Sequence, residues 1–424
     1  MSSFPKIADP YAHFVRTVLP NGLEIYSAYQ PDKTWTAVRF VVHVGARHDP
    51  RDLAGLAHFL EHMVAANLPG KNLQRTIAWF ERTGCGCYPD GTNYQTTRYG
   101  FRLPNSAQKM VTALEIFGGM LMHSPIDEHL ERERRVINRE FEKSRPRPVE
   151  IEWRLQISTN VFRGLWLENF DGPLGTTEAI NAISEGDLRT FYDQFYIPAN
   201  ITVVTVGGIK PDQMAELLSN SPFGASKPGK RNLLPSKISE LPVVAEPLLE
   251  VSTSDLLKES IDRAKLVVTW SYPANFSKET SMLFDQVLAD IMFSELRQKH
   301  KAVYATELDW SNYHDIGECT ITLYPDPVII EKTKRILHDC IRSACTDLKR
   351  FRQCKVSSMR RFAMRDSIGG ISLIDSAANE LGMIQRISTL NEDYTRLQEV
   401  RFEHMAEIGS FLTENRAHTF ILRP

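Results

Sequence analysis

The segment His58-Phe59-Leu60-Glu61-His62 puts two imidazoles and a carboxylate within five residues. On a helix, positions i and i+4 stand one above the other, so His58 and His62 would present two nitrogens to one point in space. Two neutral imidazoles suit zinc. Glu61, three residues after His58 on a neighbouring rim, could reach a metal-held water without taking a coordination position, which is the place a hydrolytic base needs. Chance yields His-x-x-Glu-His roughly 0.02 times in a chain of this composition. A packing-only reading would leave three polar groups half-buried on an otherwise apolar helix. Glu403-His404-Met405 repeats Glu61-His62-Met63 letter for letter, but Val400 stands four places before His404, so that copy reads as a solvated helix face.

A catalytic zinc needs a third protein ligand and leaves one position open. The acidic stretch 127–143 offers Glu131, Glu133, Glu140 and Glu142. Glu133 and Glu140 are seven apart, hence on one face, with Val136 and Ile137 expected between them on the inward side. One of the two would bind the metal while the other orients a histidine N–H. The competing reading is a salt-bridged solvent face, because Arg132, Arg134, Arg135 and Arg139 alternate with the acids.

The elements that must hold these groups are legible in outline. Apolar residues at three- and four-residue spacing predict helices over 53–68, 127–143 and 333–348, and Pro146 and Pro148 stop the second of them. β-rich runs occur at 36–44, 97–103 and 200–206, then again at 264–272, 319–324 and 418–422. Pro, Gly, Ser and Lys crowd the stretch from about 217 to 247, at the midpoint of the chain, and similar layouts on either side raise the question of an internal duplication. Strands and helices without strict alternation give an α+β class: two related domains, each a mainly antiparallel sheet with helices packed on one face. The expected division is a zinc-binding domain over 1–217, a linker over 218–247 and a second homologous domain over 248–424.

Composition bounds the rest. The chain has 424 residues, 42% hydrophobic and 24% charged, as in folded globular proteins. A formal net charge of -2 supplies no field for gathering nucleic acid or anionic membrane. No leader pattern opens the sequence, and no run approaches the ~18 apolar residues of a membrane span. Six cysteines in this length are too sparse for a disulfide framework, so thiols and a cytoplasmic location are expected.

The motif resembles that of the inverzincins, the inverted zinc metallopeptidases that include pitrilysin, insulin-degrading enzyme and the mitochondrial processing peptidase. The likeness rests on His58-Phe59-Leu60-Glu61-His62 with Glu140 following 78 positions after His62, in a Val-Ile-x-x-Glu context. It extends to Leu19-Pro20-Asn21-Gly22-Leu23, Val44-Gly45-Ala46-Arg47 and Val206-Gly207-Gly208, and to Arg297 and Tyr304, seven apart in the second half. The resemblance implies that His58, His62 and Glu140 bind zinc, that Glu61 is the general base and that Glu133 is the supporting carboxylate. It implies that Arg297 and Tyr304 hold substrate backbone and the developing oxyanion. One departure stands out. Where the family carries Asn-Ala on the strand that pairs with substrate, this chain has Pro89-Asp90, and proline lacks a donor N–H. Cys85 and Cys87 nearby read as edge-strand residues.

The expected activity is therefore zinc-dependent endoproteolysis of peptides or unfolded segments. The alternatives are a dedicated precursor or leader-peptide processing peptidase working with a partner subunit, or a non-catalytic subunit of such a complex. Full-length relatives take the Arg and Tyr pair from the far end of a chain twice as long, so a homodimer is expected here, with a heterodimer of homologous subunits as its rival.

Overall fold

The run 36–44 is mostly apolar, without strict alternation, because the strand it forms is covered twice. In the computed structural model the described residues are 9–66, 73–83, 87–126, 129–144, 157–168, 172–231, 238, 240–244, 247–252, 264–363 and 371–423. The first sheet holds β1 (Phe14–Val18), β2 (Glu24–Tyr29), β3 (Trp35–Val42), β4 (Cys87–Thr92), β5 (Thr97–Pro104) and β6 (Ile201–Gly207), in the order β1-β2-β6-β3-β5-β4. The second holds β7 (Leu248–Ser252), β8 (Lys265–Pro273), β9 (Val303–Asn312), β10 (Ile316–Pro325) and β11 (His418–Arg423), in the order β7-β11-β8-β10-β9. Without β1, the two orders are the same. In each sheet one pair is parallel, β2 with β6 and β7 with β11, and every other pair is antiparallel. The two halves repeat one topology.

On one face of the first sheet lie α1 (Leu56–Ala66), α2 (Leu73–Arg82), α3 (Ala107–Met122) and α4 (Leu130–Ser144). Val38, Phe40 and Val42 of β3 point into this layer. The Phe40 ring stacks on Phe117 of α3 at 5.4 Å and on Phe223 at 4.9 Å between centroids. Phe223 lies inside the stretch read from sequence as linker, yet it is fully buried in the first core. Asn21 fixes it there by donating a side-chain hydrogen bond of 2.7 Å to its carbonyl.

The opposite face of β3 carries Ala37 and Val41, which share one hydrophobic cluster with the core of the second sheet. The helix Ile371–Ile384 of the second half packs on β3 and β6 and closes that face. Polar pairs pin the junction. Arg39 Nε meets Asp375 at 3.1 Å, and Arg47 meets Asp315 at 3.0 Å with both side chains buried. Trp166 Nε1 donates to the same Asp315 carboxylate at 3.0 Å and its ring lies under the Arg47 guanidinium. A buried ion pair satisfied on both sides is costly to break, since either partner left alone is an uncompensated charge.

The helix expected over 53–68 begins at Leu56. Asp49 sets that start: its carboxylate accepts the N–H groups of Gly55 at 2.8 Å and Ala57 at 2.9 Å, two of the donors that a first helical turn leaves unpaired. Gly55 adopts φ +93°, where a side chain would strain the backbone and collide with Ile180 and the Leu174 carbonyl. The helix expected over 127–143 is α4, and that over 333–348 spans Ile330–Thr346. Pro146 and Pro148 lie outside the described residues. None of the described helices is long and apolar enough to cross a membrane, and Cys319, Cys340, Cys345 and Cys354 are free thiols.

These two hydrogen bonds make Asp49 a stability determinant. Asp49→Ala should cost about 1–2 kcal/mol in denaturant unfolding, as loss of a helix cap does, and Asp49→Asn, which keeps one acceptor oxygen, should cost less. Equal stability of Asp49→Ala and the parent chain would contradict this.

Candidate metal centre

The helix α1 is apolar almost all round, with Leu56, Ala57, Phe59, Leu60, Met63 and Val64 buried. Its polar residues therefore gather along the stripe that meets α4. The His58 and His62 rings stand one turn apart, 4.8 Å between centroids and nearly perpendicular. Glu140 reaches across from α4, its Oε2 lying 3.3 Å from His62 Nε2 and 3.9 Å from His58 Nε2. One atom from each of the three lies within 4.8 Å of the others, the one such cluster among the described residues. Ligand atoms about 2.1 Å from a tetrahedral ion sit roughly 3.4 Å apart, so only a slight closure separates this arrangement from a coordination shell.

His58 also fits zinc in its protonation. Burial drives His58 down to about 3, and neighbouring His62 adds to the effect, so the imidazole is neutral. Its Nδ1 is buried with no hydrogen-bond partner among the described residues, while Nε2 faces Glu140 beyond hydrogen-bond reach. A buried imidazole with so little to bond is expensive unless a ligand occupies it. Burial would lower His62 too, but Glu133, Glu61 and Glu140 outweigh it and hold that ring above its ordinary value. Glu133 is buried, its Oε2 3.5 Å from His62 Nδ1 and its Oε1 bound to Arg132 Nε at 2.8 Å. Burial would raise its carboxyl, yet His62 and Arg132 keep it below the usual range.

The sequence left two roles for two carboxylates, and the geometry separates them. Glu140 faces the Nε2 atoms of both histidines, whereas Glu133 faces the far nitrogen of His62. Glu131 and Glu142 point to solvent, Glu131 pairing with Arg134 at 3.1 Å. Val136 is a correction: it is 39% exposed, and Ile137 alone fills the inward position between the two acids. Seven residues on a helix bring Glu133 and Glu140 to one face, but the intervening turn leaves room for one side chain beneath them.

Glu61 lies outside the three-ligand cluster. Burial raises its carboxyl, and its Oε2 accepts a 2.7 Å hydrogen bond from Thr92 Oγ1. Thr92 ends β4, which is the free edge of the first sheet. In the β4–β5 register Pro89 faces Tyr99 and Gly91 faces Arg98, so Asp90 is an extra residue in a β-bulge. Gly91 takes φ +108°, the left-handed conformation such a bulge asks of glycine. The Pro89-Asp90 departure is thus accommodated within a strand that remains paired. Cys85 and the side chain of Cys87 lie outside what the structure describes. Asp49 carried no sequence signal of its own, since single aspartates near a helix are common, whereas Thr92 closes the stretch 86–92 that, with Thr97 and Tyr99, keeps the frame of the family motif.

The family model described as Insulinase (Peptidase family M16) matches residues 24–169, the segment holding His58, Glu61, His62, Glu133 and Glu140. A second model, described as the peptidase M16 inactive domain, matches residues 182–353. The chain belongs to peptidase family M16. An uncharacterized zinc protease of Rickettsia felis is 21% identical over 317 residues, 72% of this chain and 71% of that protein. The mitochondrial-processing peptidase subunit beta of Caenorhabditis elegans is 26% identical over 214 residues, 50% of this chain and 45% of that one. The crystal structure of pitrilysin superposes with a TM-score of 0.76 at 15% identity, covering 100% of this chain but 46% of pitrilysin.

The sequence also singled out Arg297 and Tyr304 in the second half. Arg297 is exposed on a π-helical turn, Phe293–Lys299, that continues the helix Lys278–Met292. Tyr304 stands at the start of edge strand β9, 62% exposed, with the Arg297 guanidinium 5.5 Å from its ring centre. The structure thus brings these two together on the second sheet, and the histidine cluster forms without them. The second His-Met pair does not build a site: His404 is half-buried, and its Nδ1 accepts the Arg401 N–H at 3.2 Å.

Two measurements follow from this geometry. Glu133→Gln should weaken zinc binding about 10-fold to 100-fold, because the support of a ligating histidine is reduced; an unchanged affinity in chelator competition would contradict the contact. Protons and metal compete for the same His62 lone pair, and the acids around His62 favour the proton. Apparent zinc affinity should therefore fall as pH drops from about 7.5 to 5.5, approaching tenfold per pH unit for each proton displaced. A flat affinity over that interval would exclude His62 as a ligand.

Proposed function

We propose that this chain is a zinc-dependent endopeptidase acting on peptides or unfolded segments. The observation that carries the reading is the convergence of His58, His62 and Glu140 with Glu61 held beside them but outside the ligand set. Bound there, zinc would act as a Lewis acid on a peptide carbonyl and make an attacking water acidic. Glu61 is the group that takes the proton from that water, and burial, by raising its carboxyl, brings it closer to the affinity that proton transfer at neutral pH needs. Glu133 keeps the His62 ring in register through Nδ1. The free edge of β4 supports substrate pairing by strand addition, with the bulge at Asp90 shaping what can pair.

Arg297 and Tyr304 are assigned to substrate backbone and oxyanion, and their exposure on the second sheet favours service to a second copy of the chain. Two copies would then enclose one chamber, each site completed by the partner copy, as an isologous dimer. A processing peptidase for one precursor, paired with a homologous subunit, is the second reading, favoured by the similarity to a processing-peptidase subunit. A purely non-catalytic role has less support, because His58, Glu61, His62 and Glu140 are all present and placed together. A reducing compartment such as the cytoplasm suits the free thiols.

Glu61→Gln should retain about one zinc per chain and lose at least 10²-fold to 10⁴-fold in turnover of a peptide mixture. Full activity in that variant would refute the assigned base. Mixing Glu61→Gln with Tyr304→Phe chains tests the dimer. If subunits exchange, one site of the mixed dimer carries neither lesion and activity returns; verified exchange without recovery would exclude completion in trans.

A further inference from the structure

The hydroxyl of Thr92 is the side-chain donor to the Glu61 carboxylate, and its proton can be followed through the neighbouring groups. Thr92 Oγ1 lies 2.7 Å from Glu61 Oε2 and 3.2 Å from Thr97 Oγ1. Thr97 is fully buried and lies 3.0 Å from the Val44 carbonyl. A carbonyl oxygen only accepts, so a Thr97 proton directed at Val44 leaves the Thr97 hydroxyl a lone pair facing Thr92. Thr92 likewise has one proton, with two places to put it: Glu61 Oε2 or Thr97 Oγ1.

We propose that Thr92 is the positioning residue of the general base, holding the Glu61 carboxylate through the hydrogen bond to Oε2. This rests on the reading of Glu61 as the base. While Glu61 is ionised, the Thr92 hydroxyl donates to Oε2 and fixes the rotation of the carboxylate. Oε2 stays the acceptor of the Thr92 proton, so the other carboxylate oxygen is the one left to act on the water. Thr92 itself neither gains nor loses a proton.

The position of Thr92 gives the arrangement a second consequence. It is the last residue of the edge strand β4, directly opposite Thr97 in the β5 register and immediately after the Gly91 turn of the bulge. A peptide that adds to β4 would therefore order the same strand that orients the base. Strand addition and proton transfer are coupled through one side chain.

The test uses the full chain with zinc bound and a mixture of short fluorogenic peptides. Thr92→Val keeps the shape and removes the hydroxyl; Thr92→Ser keeps the hydroxyl. Thr92→Val should lose about 10-fold to 100-fold in kcat with KM changed less than about threefold, and Thr92→Ser should recover most of the rate. Crystal structures supply a readout apart from activity: Glu61 should occupy a different or divided rotamer in Thr92→Val and its parent position in Thr92→Ser. Unchanged kcat and an unmoved Glu61 in Thr92→Val would overturn the proposal, as would an equal loss in both variants. Glu61→Gln is measured beside them. Should it stay active, the base assignment itself fails; should it be inactive while Thr92→Val is not, only the role of Thr92 fails.

Discussion

Packing of α1 against α4 brings two imidazoles from one helix and a carboxylate from another together, with the His58 ring buried and the His62 ring largely so. Water would otherwise satisfy these groups, and burial removes it. The cost is visible in His58, held neutral with Nδ1 unpartnered among the described residues, and in Glu61, pushed upward by the same burial. A bound cation at the focus of His58, His62 and Glu140 would offset that cost, which is why an arrangement poor for stability alone is coherent as a metal centre.

Everything around α1 serves to keep that stripe in place. Asp49 satisfies the first N–H groups of the helix, and Gly55 gives it a left-handed entry. The aromatic stack of Phe40, Phe117 and Phe223 fixes α3 and the end of the first domain against β3. Behind the sheet, the second half contributes the helix Ile371–Ile384 and the buried Arg47–Asp315 pair. The repeated strand order shows how one topology could serve two purposes: in the first copy the helix after β3 carries the histidines, and in the second the helix after β8 runs into the π turn bearing Arg297.

Much of this is legible in the amino-acid sequence itself. The five-residue histidine motif announces its chemistry because helical geometry fixes where positions i and i+4 point, and the β-rich runs mark the central strands because they are buried on both sides. Periodicity alone does not choose between Glu133 and Glu140, since both occupy one face and only the position of α1 distinguishes them. Val136 misleads for a related reason: a valine beside an isoleucine on an amphipathic helix is assigned inward by pattern, but a stripe one side chain wide buries only Ile137. Thr92 is visible as part of the family frame, but its contact with Glu61 is hidden because it depends on a strand and a helix remote in sequence meeting at 2.7 Å. Phe223 is hidden by its neighbours, whose Pro, Gly and Ser content reads as linker although one aromatic in their midst is core.

The decisive experiment is zinc-edge anomalous diffraction from crystals of the zinc-loaded chain. One strong anomalous peak per chain is predicted, within coordinating distance of His58 Nε2, His62 Nε2 and a Glu140 oxygen, with Glu133 in contact with His62 and not with the metal. A peak coordinated by Glu133 in place of Glu140, or no ordered zinc at α1 under saturating metal, would contradict the metal centre described above.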